Sequence, residues 1–142
     1  RMLQDHYYIS IKIIIVYPIY DLLFTLFHLL IVGFNLLGWI WQSTRKLHLV
    51  VVVLTTGSWL ILGIWYGLGY CPLTDWDWKI KEHLGEINLP NSFIKYYADK
   101  LAGKDFSDAF IDRLTGTSFA IAAALSVYLN FIYKKADNSL LK

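Results

Sequence analysis

Asp21, Thr25, His28 and Asn35 interrupt an otherwise apolar run. Their spacing matches an α-helix, so all four share one helix face. Ionisable side chains at membrane depth are costly, and they turn towards a bundle interior or a wet cavity. The chemistry open to such a face is ligand binding: a small polar cavity around His28, able to take a haem, a quinone or another small ligand. The structural alternative is a histidine satisfied by hydrogen bonds to a neighbouring helix. Asp21, near the end of the run, is expected to be wetted.

A haem shared by His28 and His48 fails on geometry. In an antiparallel hairpin turning near Ser43 and Thr44, His28 stands about fifteen residues up one helix and His48 about four up the next, an axial offset of roughly 15 Å. Residues near Ser58 and Trp59 are expected to face His28 instead. Arg45 and His48 together suit positive-inside anchoring of a span with snorkelling, with recognition of a lipid phosphate as the functional alternative. His83 reads as a surface histidine. Cys71 is the single cysteine, so an intrachain disulfide is excluded. At a helix end among apolar neighbours it is expected to be unreactive, with a reactive external thiol as the alternative. Cys71, His48 and His83 lack metal-ligand spacing, and no hydrolase or phosphate-loop motif occurs. No metal and no catalytic residue is assigned, and any cofactor is left open.

The elements that must position these residues follow from the hydropathy. Of the 142 residues 56% are hydrophobic and 17% charged, and the mean hydropathy is +0.45; both depart from a soluble domain in the direction of lipid. A net charge of +2, with no Lys/Arg-rich run, argues against a nucleic-acid partner. The start lacks the apolar core of a cleaved signal peptide, so an uncleaved first helix is expected to direct insertion. The expected fold is a single all-α membrane bundle over residues 1–142 with spans at 19–41, 47–70 and 114–133. The first is roughly 34 Å long, enough to cross. Pro18 marks its start or a kink, and residues 9–18 either lie at the interface or extend the helix.

The connector 72–112 is read as two short amphipathic helices at the membrane surface, or as an extramembrane mini-domain covering the bundle. Thr74 and Asp77 resemble a capping box for the first, with Trp76, Ile80 and Leu84 as its apolar face and Gly85 as its stop. Asn91 or Ser92 caps the second, with Phe93, Ile94, Tyr97 and Leu101 on one face and Gly103 closing it. A start near Ser107 would merge into the last span. Close packing is expected between two faces of small residues, Gly63 with Gly67 and Gly116 with Ala120 and Ala124. Arg45, Lys46, Lys134, Lys135 and Lys142 fall on one side of a three-span chain, which the positive-inside rule makes cytoplasmic.

Cys71-Pro72-Leu73-Thr74, followed by Asp77, Lys81, Gly85-Glu86, Phe93-Ile94 and Tyr97, with His28, Gly38, Arg45 and His48 upstream, forms a specific pattern. From Tyr20 to Leu101 it resembles a family of small bacterial membrane proteins known as domain of unknown function twenty-seven eighty-four. Asp77 stands where Glu is expected and Lys81 where Arg is expected. Charge is kept, but a bidentate role for the basic residue would be weakened. The resemblance implies a membrane-embedded fold in the bacterial inner membrane and implies no reaction. A small apolar chain with helix-packing faces and no assembled catalytic constellation gives the leading expectation, a non-catalytic accessory or scaffold subunit, with the bilayer and other membrane subunits as partners. The competing expectations are an intramembrane ligand or redox site at His28, with Cys71, and a lipid-binding protein using Arg45 and His48.

Overall fold

A computed structural model describes residues 12–133, and the regular elements among them are all helices. Three are long and apolar enough to cross a membrane: α1 (Ile14–Leu37), α2 (Arg45–Tyr66) and α5 (Asp108–Tyr133). Two short helices, α3 (Pro72–His83) and α4 (Phe93–Ala102), lie between α2 and α5. Residues 9–11 of the segment 9–18, and the lysines at 134, 135 and 142 used for the orientation, lie outside the described residues, while Lys12–Val16 form a π-helical turn running straight into Tyr17–Leu37. Pro18 stands in the first turn after it. Proline has no N–H to offer and its ring crowds the preceding turn, so a change of helical register just upstream relieves both problems.

α1 and α2 are antiparallel neighbours, and α5 packs against both. Asn130 Nδ2 donates to the Arg45 carbonyl at 3.1 Å, which places the C-terminal end of α5 beside the turn between α1 and α2. The connector occupies the opposite end. The buried apolar core is small, made of Val52, Phe93, Ile111, Phe119 and Ala122. Most of the apolar surface of the three long helices therefore faces outward.

α2 ends at Tyr66, earlier than the expected 70, because Gly67 takes φ +99° and leaves the helical region. Gly69, at φ +86°, bends the chain again, a conformation open to glycine at little cost. The segment then folds back down α2. Leu68 Cα lies 3.3 Å from where a Cβ on Gly63 would stand, and Ser58 Oγ donates to the Tyr70 carbonyl at 3.0 Å. Cys71 thus sits at the level of Ser58, roughly 12 Å below the end of α2. The expected contact between the two small-residue faces is corrected here. Gly67 is outside the helix, Gly63 makes room for the returning chain, and nothing lies within 4 Å of a Cβ placed on Gly116.

From Cys71, α3 climbs back along the N-terminal half of α1. Its last residue, His83, stacks on Tyr17 with ring centres 4.7 Å apart. The capping box is not formed. Cys71 is the N-cap residue, with extended backbone and no side-chain cap, and Pro72 occupies the first turn. Thr74 and Asp77 point inward with Lys81, and these three are the buried residues of α3. Trp76, on the apolar face of the helix, is 52% exposed. The inward face of this helix is polar.

At α4, the Ser92 hydroxyl accepts from the Lys95 N–H and Gly103 closes the helix at φ +62°. Phe93 is buried, whereas Leu101 is 86% exposed and does not belong to the inner face. Lys95 is buried too. Its ammonium donates to Asp99 at 2.6 Å, to Asp105 at 2.5 Å and to the Phe106 carbonyl at 2.5 Å, which ties α4 to the chain entering α5. The Asp105 and Asp99 carboxylates hold this lysine above the usual ammonium range. Ser107 caps α5 by accepting from the Phe110 N–H. Trp78 joins the short helices to each other, donating to the Pro90 carbonyl at 2.6 Å and lying beside Phe93 and Tyr96.

Candidate functional site

The polar face of α1 divides between two clusters at opposite ends of the bundle. At the turn end, Asn35 meets α2: its Nδ2 donates to Thr55 Oγ1 at 3.1 Å. The Asn35 backbone carbonyl lies 2.9 Å from His48 Nε2. A carbonyl can only accept, so Nε2 carries hydrogen, and in the neutral ring Nδ1 accepts from the Ser126 hydroxyl at 2.9 Å. One imidazole thereby ties α1, α2 and α5 together.

This contact belongs to a complete cap. The last four carbonyls of a helix lack intrahelical donors, and leaving them unpaired away from water is expensive. Here Phe34 O receives Gly38 N–H at 2.8 Å, Leu36 O receives Trp39 Nε1–H at 2.7 Å and Leu37 O receives Ile40 N–H at 3.0 Å. Asn35 O receives His48. The turn carbonyls are covered as well, Gly38 O by Thr44 Oγ1 at 2.7 Å and Trp39 O by Arg45 Nε at 3.3 Å. Gly38 is required for the approach, because a Cβ there would stand 2.8 Å from the His48 ring and 2.7 Å from Phe34 O. The expectation that His48 meets a lipid phosphate is corrected. The residue is fully buried and both ring nitrogens are engaged inside the bundle.

The second cluster lies where α3 and α4 cover α1. Asp21 accepts from Lys81 Nζ at 2.5 Å. Thr25 Oγ1 and Tyr97 OH are 2.7 Å apart. His28 stacks under Phe93 with ring centres 3.9 Å apart, and its Nε2 lies 3.8 Å from Cys71 Sγ. The residues expected opposite His28 are elsewhere. Trp59 packs on Phe119 at 4.8 Å, and Ser58 bonds the Tyr70 carbonyl. Reading α2 as a straight helix to residue 70 missed the returning chain that brings Cys71 down to His28.

Lys81 is almost fully buried, and its ammonium lies 5.1 Å from the ring centre of Tyr96 and 5.7 Å from that of Tyr97, within cation–π range. Burial acts to lower its pKa, but hydrogen bonding to Asp21 and the nearby Asp77 outweigh this and hold it above the usual range. Tyr96 donates to Glu86 at 2.5 Å, and burial with this hydrogen bond pushes its phenol up. Asp77 is different. It has no exposed surface and neither carboxylate oxygen has a hydrogen-bond partner. Burial raises its pKa to about 6, with Asp21 and Glu86 adding to the effect and Lys81 opposing it. The other buried side-chain polar atom without a partner among the described residues is His28 Nδ1.

Sequence reasoning placed Asp21, Thr25, His28 and Asn35 on one face but missed Lys81, Tyr96 and Tyr97 as their surroundings. The i, i+4 spacing of Asp77 and Lys81, one turn apart, was the available signal. Among the described residues no group of three or more His, Cys, Asp or Glu side chains is placed to hold a metal ion. A groove of about 560 Å³ between α2 and α5, lined by Val52, Thr56, Ala123 and Ala124 among others, does not include His28.

No curated protein and no solved structure matches the chain. One family does, over residues 18–131, a range that takes in both polar clusters and nearly all of the three long helices. That is wider than the stretch from Tyr20 to Leu101 on which the resemblance rested, and the family's description states no activity. The chain belongs to the family described as Protein of Unknown function (DUF2784).

Proposed function

We propose that this chain is a non-catalytic membrane component that works by packing against other membrane subunits. The supporting observation is the stripe of small residues on α5. Ala120 and Ala124 are exposed, and a Cβ on Gly116 would meet nothing within 4 Å. Helices in lipid associate through close packing rather than through hydrophobic drive, and small-residue faces allow it. This face has no partner within the described chain, and the apolar α2–α5 groove opens beside it at Ala124. The candidate polar residues support the same reading: His48, Asn35, Thr25 and Asp21 are all engaged in bonds between helices of this chain. On this reading the protein resides in the bacterial inner membrane, with the Arg45 turn and C-terminus cytoplasmic.

The test is gentle-detergent purification with mass spectrometry of what co-purifies, on the native chain and on Gly116→Leu and Ala120→Leu variants. These positions have open space, so the variants should unfold within about 0.5 kcal/mol of the native chain. Stable association with other membrane subunits, lost in the variants, is the expected result. Association that survives both substitutions would move the interface elsewhere, and an isolated native monomer would overturn the proposal.

A further inference from the structure

Asp77 shows no surface to solvent, and both of its carboxylate oxygens lack a hydrogen-bond donor. Lys81, the cation that acts on it, is bonded to Asp21 instead, and the ion pairs within 4.0 Å among the described residues do not include Asp77. The groups facing it are Lys81 from its own helix, Asp21 from α1 and Glu86 from the loop after α3. α4 contributes the phenols Tyr96 and Tyr97 around Lys81, and α1 carries His28 on the same face as Asp21, beside Cys71. Two carboxylates thus compete for one buried ammonium, and Asp21 holds it.

An ionised carboxylate without donors is among the costliest groups to bury. A metal or organic ligand needs room, and a residue with no accessible surface offers none. A proton needs no cavity. We propose that Asp77 is a proton-binding site linked to the Lys81–Asp21 pair. Taking up a proton converts the carboxylate to a neutral acid, removes the competitor for Lys81 and leaves the ammonium on Asp21, clamping α3 to α1. Losing the proton restores a charge that draws Lys81 towards Asp77 and loosens the clamp.

The position of the titration supports this, since Asp77 is pushed up to about 6 by burial and by Asp21 and Glu86, from 3.8 in the absence of these effects. The sign follows from linkage. The folded state binds this proton more tightly than the unfolded state, so its contribution to stability is fully present below the unfolded value and is lost as pH rises through the folded one.

The test is infrared spectroscopy of the full chain in bilayers, comparing about pH 5 with about pH 8, on either side of the titration. The native protein should show a protonated-carboxyl stretching band that disappears on raising the pH, with a parallel fall in Tm. Asp77→Asn should lack the band and level the Tm profile. A band unchanged in Asp77→Asn, or no such band in the native protein at the lower pH, would overturn the proposal. If Asp77→Asn does not fold, Asp21→Asn decides. It frees Lys81 to pair with Asp77 and removes a like charge, so the midpoint of the band should move down by about one pH unit or more. An unmoved midpoint would overturn the proposal as well.

Discussion

His48 illustrates how a residue type that suggests chemistry can be used for architecture. Its donor nitrogen supplies the hydrogen bond missing at the end of α1, and its acceptor nitrogen receives Ser126 from α5. Arg45 and Thr44 cover the next two carbonyls of the turn in the same way. His48→Phe keeps a ring of similar size but strips a partner from the Asn35 carbonyl and from the Ser126 hydroxyl. Each buried group left unpaired costs about 1–3 kcal/mol. Thermal unfolding of the purified variant should show a loss in that range or above, with phospholipid retention unchanged. A variant of native stability that has lost bound lipid would return His48 to a lipid-binding role.

The short helices differ in how their ends are held. α4 starts with a side-chain cap at Ser92, while α3 starts on Cys71 and Pro72 without one. Pro72 tolerates this because its nitrogen has no hydrogen to satisfy. Thr74 lies on the inward side of α3 and is only seven per cent exposed, which makes it a packing residue. Two substitutions separate the cases. Ser92→Ala should cost about 0.5–2 kcal/mol through the lost cap. Thr74→Val, which removes only the hydroxyl at nearly constant shape and breaks no cap, should cost less than the roughly 0.5–1.5 kcal/mol of a lost hydrogen bond. Equal losses at both positions by chemical unfolding would mean that Thr74 caps α3 after all.

For the whole molecule, three crossing helices place the α1–α2 turn at one end and the connector at the other. Introducing cysteines by Ser43→Cys and Asn91→Cys in a Cys71→Ser background should therefore give labelling from opposite sides of the membrane. Labelling of both from the same side would be incompatible with this bundle. The Cys71→Ser background retains a polar atom opposite His28 Nε2, which keeps that buried contact from becoming a second perturbation. The folded-back chain at Gly67–Cys71 makes the arrangement more than a three-helix hairpin, because it carries the start of α3 to the depth of Ser58 and sets Cys71 against His28 in the middle of α1.

The all-α class and the crossing helices were legible in the residues, because run length and mean hydropathy are local properties and lipid imposes one solution on the backbone within it. The face shared by Asp21, Thr25, His28 and Asn35 was equally local, a consequence of helical periodicity. So were the helix starts at Ser92 and Ser107 and the left-handed close at Gly103, each set by a side chain or a missing Cβ within a few residues. What those faces meet was not local. The inward face of α3 is polar because Asp21, sixty residues away, offers a charge for Lys81; a rule that buries the apolar side of an isolated helix selects Trp76 instead. His48 closes the end of α1 only because folding brings Ser126, 78 residues away, to its other nitrogen. Glycines at 67 and 69 permit many paths, and the one taken, back down α2, follows from packing against Gly63 and Ser58. Asp77, buried without a partner, is the clearest case. Its position in the sequence fits a solvated helix cap, and only the assembly of α1, α3 and α4 around it removes the water that an ionised carboxylate requires.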